Sequence, residues 1–300
     1  MPLEARRHRF RSMGTDVELI ADSAEDHPVF ARAADRVERT FAREDRRCSR
    51  FRADSELTLV NRRAGRSTRL SPGLATIVAE ALAAAERTDG RFDPTVLDAV
   101  VAAGYDRDFD EVLAGARVAL RPARPCGRWT EVTLDDDLLL LPAEVGLDLG
   151  GIAKGWTVDM ATADALDEGL SWVVVNAGGD LRVAGDPPSS GIDVGIEDPQ
   201  ASGQELLTLQ VDGGAIATSS TTRRAWADGL HHLIDPSTGA PASTGIMQAT
   251  AWAPTCTEAE VLAKDALILG EDALDRTLGV LVTEDGRVVM NIDGRHEEAA

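Results

Sequence analysis

The sequence predicts a chain that mixes helices and strands, with helices leading the first half and strands crowding the second. Three observations support this. Apolar residues recur at helical spacing in the early segments; short alternating runs punctuated by glycine follow residue 172; and one stretch between them changes period in its middle. In that stretch Val145, Leu147 and Leu149 alternate with Gly146 and Asp148, as in a short strand. Gly150-Gly151 interrupts it, and from Ile152 the positions Ile152, Trp156, Met160, Ala163 and Leu166 fall on one helical face.

The other elements follow in chain order. Residues 1–9 read as a flexible lead, and the run Met13–Ile20 enters a strand after a glycine. A helix over about 27–46 carries Val29, Ala33, Val37 and Phe41 as its apolar stripe. Asp54 or Ser55 caps a short helix ending near Asn61. Ser71-Pro72-Gly73 opens an alanine-rich helix that runs to about Thr88 and stops at Gly90. Pro94 biases Asp93 away from helix, which puts its carboxylate at a turn before a helix near 95–103. Residues 108–116 read as helical, and 129–141 as two strands around Asp135-Asp136-Asp137.

In the second half, Trp172–Val175 and Leu181–Val183 form a hairpin across Asn176–Asp180. Strands near 192–196, 206–211 and 215–218 follow, with Gly213-Gly214 as a hairpin turn. Residues 247–253 alternate as a strand, and Thr257 to Gly270 is a helix. Asp285-Gly286 joins Val280–Val282 to Val288–Met290 in a second hairpin. The tail from Arg295 reads as loose.

Composition narrows the function. A formal charge of −20 repels nucleic-acid phosphates and anionic membranes, so an anionic ligand needs a locally positive site. Cys48, Cys126 and Cys256 are odd in number and widely spaced, which fits neither a zinc motif nor a disulfide framework. No run reaches about 18 apolar residues, and the arginine-rich start has no apolar leader region. The expectation is a cytoplasmic protein without stable membrane insertion.

The glycine turn at 150–151 is the first candidate site. A helix start presents free N–H groups and the positive end of the macrodipole, yet Lys154 sits in that first turn. An anion between them resolves the conflict, with Asp148 as a hydrogen-bonding partner; the plainer alternative is a tight turn with a solvated lysine. The chain carries lysine only at 154 and 264 and uses arginine everywhere else. An ammonium is a compact, rotatable charge that arginine's fixed fork cannot imitate, so two retained lysines point to chemistry, unless they are survivors of codon bias.

Three further constellations stand out. Thr257 and Glu260 match a capping box, and Glu260 and Lys264 an i, i+4 ion pair, so both acidic and basic residues also have a structural reading. His231 and His232 fall on a strand before a proline turn, with side chains on opposite faces, one at the surface and one in a cleft. In Asn176-Ala-Gly-Gly-Asp180 the glycines serve either a hairpin or a close backbone approach to a ligand.

Taken in order, the segments Met13-Gly-Thr15, Ser49-Arg-Phe51 with Asp54-Ser-Glu56, Phe92-Asp-Pro-Thr95, Asp148-Leu-Gly-Gly-Ile-Ala-Lys-Gly155, Asn176-Ala-Gly-Gly-Asp180, Ala217-Thr-Ser219, His232-Leu-Ile-Asp-Pro-Ser-Thr-Gly239 and the Glu260 helix ending at Gly270 resemble the ApbE family of flavin transferases. The resemblance spans about residues 10–285. It implies an α+β fold, a single domain over 10–290 with loose ends at 1–9 and 295–300, and two lobes around a flavin-binding cleft. It implies that FAD is the substrate, that a divalent metal polarises the pyrophosphate, and that a threonine hydroxyl of a target flavoprotein takes the FMN group as AMP leaves. Water in place of threonine would make the protein an FAD pyrophosphatase, and loss of chemistry would leave an FAD-binding protein.

Carried over by position, Met13, Phe51, Phe92, Asp93, Asp148, Lys154, Asn176, Gly178, Gly179, Thr218, Ser219 and Ile246 contact FAD, and His232 sits beside the pyrophosphate with Glu260 and Lys264. Gly151 and Glu260 face the metal, expected to be Mg2+. One departure stands out. Similar proteins usually show aspartate and then threonine as metal ligands where this chain has Glu260 and Lys264. Glutamate can coordinate magnesium. An ammonium has no lone pair to donate. The expectation is that Lys264 supplies part of the metal's charge and that magnesium binds weakly or not at all.

Overall fold

The computed structural model describes residues 5–22, 24–114, 121–122, 126–227, 229–292 and 296–299. Its frame is one nine-stranded sheet whose strands lie side by side in chain order, every neighbouring pair antiparallel. They are β1 (Ala5–Ser12), β2 (Thr15–Asp22), β3 (Trp172–Ala177), β4 (Asp180–Gly185), β5 (Gly214–Ser220), β6 (Ile246–Ala253), β7 (Gly279–Thr283), β8 (Val288–Asn291) and β9 (His296–Ala299). An antiparallel sheet with helices inserted between strands is an α+β fold, as expected.

The helices are α1 (His27–Cys48), α2 (Glu56–Asn61), α3 (Pro72–Arg87), α4 (Leu97–Ala102), α5 (Phe109–Leu113), α6 (Ala153–Asp167) and α7 (Cys256–Leu269). α1, α6 and α7 cover one face of the sheet, where Ala33, Val37, Phe41, Val158, Ala161, Ala259 and Ala263 bury with Leu19, Val173, Val175 and Ala217. A two-stranded ribbon, Ile192–Glu197 with Glu205–Val211, covers the other face through Val194 and Ile196. A second core lies beside this frame. There α2, α3 and a three-stranded sheet (Ser67–Arg69, Leu138–Leu140, Thr133–Asp135) pack against Val145, Leu147, Leu149 and Ile152.

Local signals were read well where they were short-range. Ser55 and Ser71 accept from the backbone N–H groups of Thr58 and Leu74, so both predicted caps form. Where partners are distant, the structure differs. Residues 5–9 belong to β1 and residues 296–299 to β9, so these parts of the predicted loose ends are paired; residues 1–4, 293–295 and 300 lie outside the described set. Residues 145–149 join no sheet; Asn61 takes the place of a partner strand, accepting from Leu147 N–H and donating to Leu147 C=O at 2.8 Å each. Gly213-Gly214 joins no hairpin, because the strand before it pairs in the ribbon while β5 pairs with β4 and β6.

The helix α6 also buries a different face from the predicted one. Ala153, Gly155, Thr157, Val158, Ala161, Thr162 and Ala165 are inside, whereas Trp156, Met160 and Leu166 are half-buried and Ala163 is exposed. Small residues face inward because α7 comes very close. A Cβ on Gly155 would stand 2.4 Å from the Cys256 carbonyl oxygen and 2.9 Å from Thr257 N. The two helices also exchange caps. Asp159 of α6 accepts from the N–H groups of Cys256 and Thr257 at 2.9 Å, and Glu260 of α7 accepts from Gly155 N–H at 2.8 Å. Each carboxylate thus neutralises the positive end of the other helix. The α7 N-cap is Thr255, which accepts from Glu258 N–H; Thr257 lies inside the helix and donates its hydroxyl to Asp159. The helix N-cap is therefore set two residues earlier than the sequence reading placed it. Gly155→Ala should lose about 1–3 kcal/mol of stability through overpacking against rigid backbone; an unchanged urea midpoint would refute this close packing.

Candidate functional site

A cleft of about 530 Å³ is lined by segments from both halves of the chain. Each wall is delivered by a turn or a helix end. The β1–β2 hairpin turns on Met13 and Gly14, both at positive φ, and sets Met13 at the rim against both cores. The segment after α1 supplies Arg50 and Phe51, and the turn after α3 supplies Arg91, Phe92 and Asp93. The glycine turn supplies Asp148, Gly150 and Gly151, α6 supplies Lys154, the segment after the Leu230–His231 strand supplies His232, and α7 supplies Lys264.

The chain's two lysines meet here. Lys154 Nζ lies 2.5 Å from Glu260 Oε1 and also donates to Asp180; Lys264 Nζ lies 3.2 Å from the same Glu260 oxygen and 3.4 Å from the Glu260 carbonyl oxygen. Glu260 is 1% exposed and Asp180 2%. Each ammonium has three donors and spends two on the protein, so each keeps one. The anion that the helix dipole called for is therefore supplied from within: it is the Glu260 carboxylate.

This charge cluster sets its own ionisation. Burial alone would push Glu260 upward, but the Lys154 and Lys264 ammoniums and the Gly155 N–H hold its carboxyl down at about 2. Burial would lower Lys154, and the Asp180 and Glu260 carboxylates instead hold it above its ordinary range. Burial lowers Lys264, with Glu260 opposing and Lys154 assisting. Burial raises Asp180 against the pull of Lys154. Burial followed by the positive charges of Arg224 and Lys264 drives His232 well below its ordinary value.

The cleft is also lined by aromatic side chains. The Arg50 guanidinium lies 4.1 Å from the Phe51 ring centre and 4.4 Å from that of Tyr105, and binds Asp148 at 3.1 Å and the Tyr105 carbonyl at 2.7 Å. Phe51 and Tyr105 stand 5.3 Å apart, with Phe109 and Trp226 extending the array around Tyr105. Four buried polar atoms of cleft residues lack a partner among the described residues: Arg50 Nη2, Arg52 Nε, Asp93 Oδ2 and His232 Nδ1. Such atoms are costly to bury unless something completes them, which marks where a polar ligand would be held. Asp93 is raised by burial, although its other oxygen accepts from both the N–H and hydroxyl of Thr95 at 2.6 Å.

Of the residues proposed from sequence, Met13, Phe51, Phe92, Asp93, Asp148, Gly151, Lys154, His232 and Lys264 line this cleft, and Glu260 lies directly behind the lysines. Asn176, Gly178, Gly179, Thr218, Ser219 and Ile246 are not among its lining residues. Asn176 closes its own turn by accepting from Gly179 N–H, and a Cβ on Gly178 would stand 2.1 Å from Thr15 Oγ1, so the close approach is to β2. Thr218 bonds Thr250, Ser219 is buried on β5, and Ile246 packs with Leu267 and Leu281. His231 is not the surface histidine expected; it is buried, 3.1 Å from the Ala242 carbonyl. Arg50, Arg91, Arg224 and Tyr105 also line the cleft and were missed. Tyr105 is the chain's single tyrosine, a signal of the kind that drew attention to the lysines.

A magnesium ion does not fit these residues. It needs several oxygen ligands at about 2.0–2.1 Å. Both Glu260 carboxylate oxygens already accept donors, and an ammonium stands where a second ligand is needed. Among the described residues, no group of three or more His, Cys, Asp or Glu side chains is arranged to hold a metal ion.

Comparison with known proteins agrees with this architecture. A sequence model described as the ApbE family matches residues 13–281. The chain is 33% identical over 245 residues to the FAD:protein FMN transferase of Treponema pallidum, covering 73% of this chain and 66% of that protein. It is 31% identical over 238 residues to the FAD:protein FMN transferase of Rhodobacter capsulatus, covering 75% of this chain but only 45% of that one. The crystal structure of the ApbE protein from Thermotoga maritima superposes with a TM-score of 0.85 at 26% identity, over 96% of this chain and 97% of that one.

Two measurements check the site. Glu260→Gln removes the carboxylate that both ammoniums contact and should cost about 3–5 kcal/mol in urea unfolding; a loss below about 1 kcal/mol would contradict a buried ion cluster. His232 has its folded pKa below its unfolded value, so the unfolded chain takes the proton first. Its contribution is intact above the unfolded value and is lost as pH falls from there towards the folded one. His232→Gln should flatten that part of the stability–pH curve, and an NMR titration of His232 with an ordinary midpoint would disprove the depression.

Proposed function

The chain belongs to the ApbE family, and on that footing we propose that it transfers the FMN half of FAD to a hydroxyl of a protein acceptor and releases AMP. The observation that carries this reading is the convergence of the chain's two lysines on one buried carboxylate, in a cleft that Phe51 and Tyr105 also line. FAD has the matching halves. Its flat ring suits Met13, Phe51 and Tyr105, and its diphosphate suits the unspent N–H groups of Lys154 and Lys264 with Arg224 nearby. The chain is strongly acidic overall, yet basic side chains outnumber acidic ones, seven to five, among the residues lining this cleft. That imbalance draws a dianion to a surface that otherwise repels it.

The chemistry is phosphoryl transfer, in which positioning and charge neutralisation do most of the catalysis. The acceptor oxygen, from a threonine of a target flavoprotein, forms a new bond to the phosphorus of the FMN half. The bond from that phosphorus to the oxygen bridging to AMP breaks, and AMP departs with the electron pair. Lys154 and Lys264 hold the charge that develops on the phosphate oxygens. The acceptor proton passes to His232, whose imidazole burial and nearby cations keep neutral and whose Nδ1 has no hydrogen-bond partner among the described residues.

Incubation with FAD and a threonine-bearing acceptor protein should give an acceptor heavier by one FMN group and one equivalent of AMP. Lys154→Met should slow this by about 100-fold or more, the usual effect of removing one oxyanion donor. AMP and FMN without an adduct would make the protein a pyrophosphatase, and FAD recovered unchanged would make it a binding protein.

A further inference from the structure

We propose that Lys264 is a built-in counter-cation that lets this chain handle the FAD diphosphate without a divalent metal ion. The proposal rests on the FAD reading given above. Its support is the path of one side chain. Lys264 leaves α7 one turn after Glu260, passes Gly151 and ends on the Glu260 carboxylate. A Cβ on Gly151 would stand 3.1 Å from Lys264 Cε, 3.2 Å from Lys264 Cδ and 3.0 Å from Phe92 Cε2. The space between the glycine turn and α7 is thus occupied by a lysine stem, and Gly151 lacks a side chain because that stem runs beside it.

A metal ion placed between Gly151 and Glu260 would meet two obstacles. Its carboxylate ligand is already shared by two ammoniums, at 2.5 and 3.2 Å on the same oxygen. Its own two charges would then stand beside those ammoniums, with Glu260 and Asp180 as the carboxylates bonded to the cluster among the described residues. Like charges at this spacing repel strongly in a buried site, so metal and Lys264 exclude each other. The ammonium is tethered, needs no loading from solution, and keeps one N–H for a phosphate oxygen. It delivers charge and a hydrogen bond but no coordination, so the diphosphate is gripped by donors alone.

The wild-type protein stripped with EDTA decides this. Metal analysis should show less than stoichiometric metal, and titration of MgCl2 should give no saturable heat. FAD affinity and adduct formation should agree within about twofold between EDTA and magnesium buffers. Lys264→Thr removes the ammonium and offers a hydroxyl ligand. It should weaken FAD binding about tenfold or more in EDTA and recover part of that loss when magnesium is added. A stoichiometric magnesium site in the wild type, or FAD binding that appears only with magnesium, overturns the proposal. FAD that binds in neither buffer overturns the functional reading itself, and this inference with it.

Discussion

The structure depends on a buried negative charge shared between two helices. Glu260 is almost fully enclosed, and a carboxylate in that position is tolerable only when its oxygens are fully paired. Lys154 and Gly155 of α6 and Lys264 of α7 provide that pairing. The arrangement fixes the distance between the helices as well as their charge. Gly155 allows the backbone contact, and Asp159 returns the cap to α7 while also holding Arg182 of β4 at 2.8 Å. Helix spacing, helix caps and cleft floor are one interlocked set, so a change at any of them is felt at the lysines.

The second organising feature is the division of the cleft into a charged floor and an aromatic wall. Arg50 joins the two. Its guanidinium lies over both the Phe51 and the Tyr105 rings, while its Nε grips Asp148 at the start of the glycine turn. Lysine could not do this, because stacking and the forked donor geometry both need a planar guanidinium. The chain therefore uses its two kinds of cation differently: arginine as a rigid strut in the wall, lysine as a compact charge at the floor.

How much of this was legible in the sequence follows from the range of the interactions. Caps at Ser55 and Ser71 were read correctly because the residues that make them are three apart. The hairpin across Asp285-Gly286 forms for the same reason. The strand pairing of residues 5–9 and 296–299 was not legible, since it depends on neighbours in the finished sheet. The buried face of α6 was misread because a tight helix contact selects small residues, which carry a weak hydrophobic signal. In the site, Lys154 and Lys264 stood out by rarity, whereas Arg50, Arg91 and Arg224 were hidden among many arginines. For Asn176, Gly178 and Gly179 the sequence could not choose, because a glycine turn reads the same whether it approaches a ligand or another strand; at Gly178 the neighbour is Thr15 of β2.

The reading of Lys154 shows how a correct electrostatic argument can name the wrong partner. A lysine in the first turn of a helix does require a nearby anion, and sequence alone could not tell a bound ligand from a distant glutamate. Because the anion is internal, the cluster is balanced before any ligand arrives: two ammoniums face the Glu260 and Asp180 carboxylates. On the proposed reading, a diphosphate does not replace Glu260 but meets the donors left over. The lysines are held in place by their carboxylate partners, so little reorganisation would accompany a build-up of charge on that ligand. The same preorganisation explains why the carboxylate must be buried. An exposed one would let water compete for the lysines, and the site would lose the rigidity that makes two monovalent charges effective.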